Sequence, residues 1–302
     1  VDSNFQLNYK MELAGDFESQ GKLLHAFQIY YSIISEFPDF VEPYFHLANL
    51  FEMMGKVKQA YVLLKQLIES QPENNEARLF YGQFLLKNSM WNDAIEVLSY
   101  ILPEEEPVVP FFIGYAYFVL NEFELARLNF LSFLTVTKDD ELIHEAYIYL
   151  AKIELQLKNY DNALKYAKKC DAIYSNFWEL NQIYAETYYN LGMYAHAVSY
   201  IDKAIKLNPG NSSPYEIAGK IYLKLEEYQK AETYFLKYIE SKENASSDVY
   251  MKLAEACLKN KNLKDAVAYF DVAIKLDPLN EQAKIGKEKA YSILNKNLVS
   301  DG

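Results

Sequence analysis

Apolar residues recur along nearly all of this 302-residue chain at i, i+3, i+4 and i+7, the spacing that gathers them on one face of an α-helix. The run Ala266, Val267, Phe270, Ala273, Ile274 shows the pattern clearly. Such stretches come in pairs, and the pairs repeat. Ala26, Ala60 and Ala94 are 34 residues apart, as are Ala163, Ala197 and Ala231, and Ala266 follows at 35. The irregular steps are Ala94 to Ala126, at 32, and Ala126 to Ala163, at 37. Eight alanines in near-constant phase predict eight helical hairpins in tandem.

Other positions keep the same phase. Ala48, Gly82, Gly114, Ala185, Gly219 and Ala254 are small, so the first helix of each hairpin is expected to lie close against the second. Tyr30, Phe130, Phe235 and Phe270 are then available to fill the space toward the next hairpin. Pro38, Pro72, Pro209 and Pro278 end second helices, because proline lacks an amide donor and disfavours helix at the residue before it. Asn208-Pro209-Gly210-Asn211 reads as a turn.

A 34-residue helix-turn-helix unit with these anchors resembles the tetratricopeptide repeat (TPR) family. Trp178 to Asn211 carries the resemblance most fully. Tyr184, Ala185 and Tyr188 stand where the family has Leu, Gly and Tyr, followed by Ala197, Ile201, Ala204 and Leu207-Asn208-Pro209. Leu253, Ala254, Ala266, Phe270 and Pro278 match in another unit, as do Tyr215, Ala218, Gly219, Tyr222, Ala231 and Phe235, and Tyr44, Leu47, Ala48, Phe51, Ala60 and Pro72. Tyr44, Tyr147, Tyr215 and Tyr250 replace the family's tryptophan near the start of the first helix.

The resemblance implies an all-α fold, a right-handed α-solenoid with a C-terminal capping helix. The repeats are placed at 7–40, 41–74, 75–106, 107–143, 144–177, 178–211, 212–246 and 247–280, after a leader at 1–6. A solenoid end needs a solvating surface. Residues 281–302 are read as that cap, with Ala283, Ile285, Ala290 and Ile293 inward and a frayed end from 295. The irregular middle carries Pro103, Pro107 and Pro110 around Glu104-Glu105-Glu106, and Thr137-Lys138-Asp139-Asp140 after the next hairpin. Drift in loop length explains both, with a bend or an acidic contact as the alternative.

Charge narrows the function. The net charge is -12, the reverse of the basic footprint a nucleic-acid binder needs. No run of about 20 apolar residues predicts a transmembrane helix. The cytoplasm, the periplasm and a membrane surface stay open, the last two if a segment has been removed before Val1. Cys170 and Cys257 fall at core-facing repeat positions and make neither a disulfide framework nor a metal site. His25, His46, His144 and His196 lack a ligand spacing, and there is no phosphate loop or nucleophile elbow. No cofactor, metal or catalytic residue is therefore assigned, and an enzyme is not expected.

In the TPR family, first helices line a concave groove that holds ligands. Helical phase puts Phe45, Asn49, Leu79, Gln83, Phe111, Tyr115, Phe118, Lys152, Gln182, Glu186, Tyr189 and Lys220 on that side. The groove is expected to be aromatic at its centre, acidic in its first half and lysine-bearing in its second. The family's clamp for C-terminal carboxylates is not visible, since Met11, Gly15, Asn49 and Glu76 occupy the corresponding helices. The function implied is a non-catalytic scaffold for a protein or peptide with apolar or aromatic anchors. The alternatives are a substrate-presenting module of a larger enzyme or envelope-assembly system, such as a glycosyltransferase, and a self-assembling scaffold.

Overall fold

The computed structural model describes residues 3–137, 140–242 and 244–300. Among them the chain forms seventeen helices and no strand. It divides into two compact units, Val1–Lys138 and Asp139–Gly302. The division falls where the alanine spacing stretches to 37; Lys138 and Asp139, part of the loop singled out there, lie outside the described residues.

The first unit holds α1 (Ser3–Ser19), α2 (Leu23–Glu36), α3 (Glu42–Met53), α4 (Val57–Ser70), α5 (Asn75–Lys87), α6 (Trp91–Leu98), α7 (Val109–Val119) and α8 (Phe123–Val136). The second holds α9 (Asp140–Gln156), α10 (Tyr160–Ile173), α11 (Trp178–Asn190), α12 (Tyr194–Leu207), α13 (Ser213–Lys224), α14 (Tyr228–Glu240), α15 (Ser247–Lys259), α16 (Leu263–Leu276) and α17 (Glu281–Ser300). Within each unit the helices pack pairwise, and each pair packs on the next.

All eight anchoring alanines are 0% exposed, which explains why nothing larger stands there. Opposite them, a methyl group on Gly219 would lie 2.7 Å from the Phe235 ring, and one on Gly82 would collide with Leu98. Small residues thus set how closely the two helices of a hairpin approach.

The eight turns inside the hairpins share one geometry. Gly21, Gly55, Ser89, Asn121, Lys158, Gly192, Glu226 and Lys261 all have φ between 61° and 74° and sit two residues before a second helix. The amide after each donates back to a carbonyl five residues earlier, as in Lys56 to Phe51 at 2.7 Å and Asn159 to Glu154 at 2.8 Å. This left-handed closure satisfies carbonyls the first helix would leave bare. At five of the turns a residue other than glycine accepts that conformation. Between hairpins, Asn74 and Asn280 cap α5 and α17 by accepting from the amides of Ala77 and Ala283, each at 3.0 Å.

Helix α1 begins at Ser3, and at the other end α17 runs to Ser300. Ala283 and Ala290 are its buried contacts, with Gly286 against Phe270, whereas Ile285 is 63% exposed and not inward as expected. The helix therefore docks on small residues, and Lys287 pairs with Asp271 at 2.5 Å. No described helix is long and apolar enough to cross a membrane.

Candidate functional site

The odd-numbered helices up to α15 are the first helices of the hairpins, and α17 follows them as the cap. In the first unit α5 touches α7; in the second, α9 touches α11, α11 touches α13, α13 touches α15 and α15 touches α17. Consecutive second helices have no comparable contacts among the described residues. Rows that touch lie at the shorter radius, so the first helices form the inner side of the second unit and, at α5 and α7, of the first. Every residue assigned to the groove from sequence lies on one of them.

In the first unit these residues separate into two groups. Asn49 on α3 and Gln83 on α5 are exposed, and Leu79 is half-buried. Phe45 stacks on Phe80 with centroids 4.2 Å apart, tying α3 to α5. Glu52, also on α3, accepts from Lys87 at 2.7 Å and Asn88 at 2.8 Å. Phe111 is only 6% exposed and meets Phe130 and Phe133 edge-on at 5.4 and 5.3 Å. Its ring belongs to the α7–α8 core and offers a ligand no surface. Tyr115 leans on Trp91 at 5.8 Å and Phe118 on Phe123 at 6.0 Å. The aromatic centre expected from sequence is thus largely taken up by packing between helices.

Exposed apolar surface in this unit lies partly elsewhere. Leu24, Tyr31, Val62, Leu125 and Leu128 are on second helices. A groove of about 360 Å³ runs between Tyr31, Phe51, Val62 and Leu63. Sequence phase missed it because these positions read as the outward edges of amphipathic helices.

In the second unit the inner side is polar and cross-linked. Lys152 on α9 donates to Glu179 at the start of α11 at 2.5 Å, and its ammonium lies 5.3 Å from the centroid of Tyr149. His144, Glu145, Ile148, Phe177 and these three residues line a pocket of about 250 Å³. Gln182 on α11 donates to the Ser213 hydroxyl of α13 at 2.9 Å, and Lys220 donates to Glu216 at 2.5 Å. Lys252 on α15 pairs with Asp248. The lysines expected to make this half cationic are therefore largely neutralised on their own face. Glu179 and Ser213, the two cross-helix partners, were not singled out from sequence, because their spacing from Lys152 and Gln182 carries no local pattern.

Glu186 and Gln182 stand apart. The Gln182 side-chain oxygen is buried without a hydrogen-bond partner. Glu186, one turn further along α11, makes no hydrogen bond or ion pair through its carboxylate among the described residues. Burial raises its carboxyl above the usual range, Lys220 opposing and Glu216 adding to the shift. Tyr189, next on the same side, has its hydroxyl pKa raised by burial.

Tetratricopeptide repeat profiles match residues 53–107 and 218–281, and the profile described as anaphase-promoting complex, cyclosome, subunit 3 matches residues 156–238. The chain is a tetratricopeptide-repeat protein. DnaJ homolog subfamily C member 3 of Gallus gallus is 22% identical to it over 306 residues, covering 97% of this TPR chain and 57% of that protein. The TPR chain also superposes on a chain of the APC/C hetero-tetramer Cut9–Hcn1 with a TM-score of 0.65 and 17% identity, covering 89% of this chain and 52% of that one. A thermophilic TPR protein of Thermus thermophilus gives a TM-score of 0.48 at 22% identity, covering 61% of this chain and 98% of that one. The TPR chain thus spans little more than half the length of the first two. The likeness to the Cut9–Hcn1 chain concerns the fold alone, and membership of the family is consistent with a protein-interaction scaffold.

Proposed function

We propose that this TPR protein is a non-catalytic scaffold that holds a protein or peptide segment along its first helices. The observation that carries the reading is the desolvated polar side of α11 and α13. A half-buried carboxylate without a protein partner weakens the fold, since burying an unpaired charge is unfavourable. Packing does not require Glu186, because it faces the inner side and not the helical core. Perturbed ionisable groups of this kind cluster where proteins meet ligands. In the first unit Asn49, Leu79 and Gln83 give the same side an accessible mixture of polar and apolar groups.

Photo-crosslinking from single positions tests this. Benzoylphenylalanine is placed at Asn49, Gln83 or Asn190 on the inner side, and at Gln59 beside the outer groove of the first unit. All four positions are exposed, so the fold tolerates the probe. The reading expects partner adducts from native lysate through inner positions and none through Gln59. Adducts through Gln59 alone would move the site to the second helices. An adduct between two copies of this chain would instead identify a self-assembling scaffold, and copurification with a catalytic module would identify a substrate-presenting one.

A further inference from the structure

The inner side continues past the last hairpin. Helix α17 touches α15, and between them lies a cavity of about 260 Å³. Met251 and Leu258 on α15 and Ile285 on α17 give it an apolar wall, and the Phe270 ring reaches it where Gly286 leaves room. Ile285 follows Met251 by 34 residues, the step that separates Phe45 from Leu79, so it holds a groove position of the repeat. Its 63% exposure follows from that placement, on the side that α17 shares with α15 and away from the core. Lys259 on α15 and Lys289 on α17 line the same cavity. Both are exposed, and neither makes an ion pair, hydrogen bond or ring contact among the described residues. They differ in this from Lys152, Lys220 and Lys252, which are held by Glu179, Glu216 and Asp248. Glu255, itself exposed and without a partner, is the carboxylate of the lining. The cavity thus sets two cations against one anion in a chain whose net charge is -12.

We propose, building on the inner-side reading above, that this cavity receives a large apolar side chain of the bound segment, with an aspartate or glutamate within two residues of it. The apolar side chain would cover Met251, Leu258 and Ile285. Methionine's unbranched thioether lets that wall adjust to the shape it meets. The acidic side chain would accept charge-assisted hydrogen bonds from Lys259, Lys289 or both. A basic residue there would meet two like charges and one opposite charge, and a neutral one would leave both ammoniums unpaired. The acid belongs to a side chain and not to a chain end. Lys259 stands two turns beyond Met251, about 12 Å along the helix. A chain-end carboxylate stays beside the backbone of the residue that fills the apolar wall, whereas an acid two residues on shares its face and extends toward the lysines. Burial of the apolar side chain supplies affinity, and the charge at the rim fixes the direction in which the segment runs.

Peptide display on the intact chain tests the anchor. Random 12-residue peptides, carried within a loop of a display protein so that no chain end is free, are selected on the wild type. Their contacts are mapped with benzoylphenylalanine at Asn49, Gln59, Gln83, Asn190 or Gln282, the last an exposed residue of the cavity lining. Peptides that crosslink at Gln282 are synthesised with both ends blocked. Each acid is changed singly to its amide and each large apolar residue to alanine. One change of each kind is expected to weaken binding about tenfold or more. The amide change should cost less than about twofold on a Lys259→Gln/Lys289→Gln chain, and Ile285→Ser should shrink the effect of the alanine change. Glu255→Gln should tighten binding. These four side chains are exposed, so the variants are expected to fold, which circular dichroism verifies. On the wild type itself, raising salt from about 0.05 to 0.5 M should narrow the gap between acid and amide peptides. Peptides that crosslink at Gln282 yet tolerate every amide change or every alanine change, or that bind Glu255→Gln more weakly, would overturn the proposal. Crosslinks at Asn49, Gln83 or Asn190 with none at Gln282 would overturn it and leave the inner-side reading standing, as would an adduct at Gln282 between two copies of this chain. Crosslinks only at Gln59, or a selection that enriches none, would overturn both.

Discussion

Gly219→Ala isolates the close helix approach on which the inner side depends. In an open helix the change is favourable, since alanine exceeds glycine by about 1 kcal/mol in helix propensity. Gly15 on α1 provides that case, with no atom within 4 Å of an added methyl group. At Gly219 the methyl carbon would lie 2.7 Å from Cδ1 and Cε1 of Phe235 and 2.9 Å from its Cγ. Optimal carbon–carbon separation is about 3.5–4.0 Å, so the ring or the helix must shift by close to an ångström. Phe235 is 0% exposed, and its neighbours Tyr238, Val249 and Leu253 are also buried, leaving the ring no room to retreat. Overpacking of this kind costs about 1–3 kcal/mol, which outweighs the propensity gain. The net expectation is a loss of about 1–2 kcal/mol for Gly219→Ala and a gain of about 0.5–1 kcal/mol for Gly15→Ala. Repeat proteins open locally, so hydrogen exchange read on peptides from α13, α14 and α1 is the suitable assay. Exchange from α13 and α14 should quicken about tenfold in Gly219→Ala, and exchange from α1 should slow in Gly15→Ala. Unchanged or slower exchange at α13 and α14 would refute the argument that small residues set hairpin spacing.

Three further outcomes follow from single features. Lys158, Glu226 and Lys261 hold φ near 61–65° in turns that glycine fills elsewhere, so Lys261→Gly should raise thermal stability by about 0.5–1 kcal/mol, while Gly192→Ala lowers it. Burial, with neighbouring acidic groups, pushes the Cys170 and Cys257 thiols up to about 12, so an aromatic disulfide reagent at pH about 8 should label the native chain on the order of a hundredfold more slowly than the urea-unfolded chain. Burial raises the Glu186 carboxyl pKa, so the stability it contributes is fully present below the unfolded value and is lost as pH rises through the folded one. Glu186→Gln should accordingly melt above wild type at pH about 7, with the gap closing as pH falls to about 4; a gap that is absent or widens toward acid would refute the assignment.

The hairpins were legible in sequence because their determinants are local and repeated. The anchoring alanines face the same packing problem eight times, and each of the eight is fully buried. The left-handed turns inside the hairpins were not read from sequence, and glycine marks only Gly21, Gly55 and Gly192 among them. At Ser89, Asn121, Lys158, Glu226 and Lys261 the same left-handed conformation is imposed by the helices on either side, and no residue type announces it. The candidate site was less legible. Helical phase placed all twelve residues on first helices, but phase does not report depth. Phe111 lies one side chain too deep, held by Phe130 and Phe133. Ile285 errs in the opposite direction, because α17 docks through Ala283, Gly286 and Ala290 and leaves the larger residue outside. Pairing was also hidden: Lys152 and Glu179 stand 27 residues apart, on helices that meet only after the repeats have stacked.

That hidden pairing changes the electrostatic picture. Counted along the sequence, the second half of the groove is lysine-bearing. Placed in the structure, Lys152 and Lys220 are spent within the face, one tying α9 to α11 and the other held within α13, and the Glu186 carboxylate beside them is left without a partner. Ion pairs at half-exposed positions contribute little to stability, commonly about 0–1 kcal/mol. Both lysines still act through space on Glu186, opposing the desolvation that raises its carboxyl. A glutamine at this position would fill nearly the same volume without the desolvation cost. The pH-dependent melt of Glu186→Gln therefore measures how far burial outweighs Lys220 and Lys152 at this position.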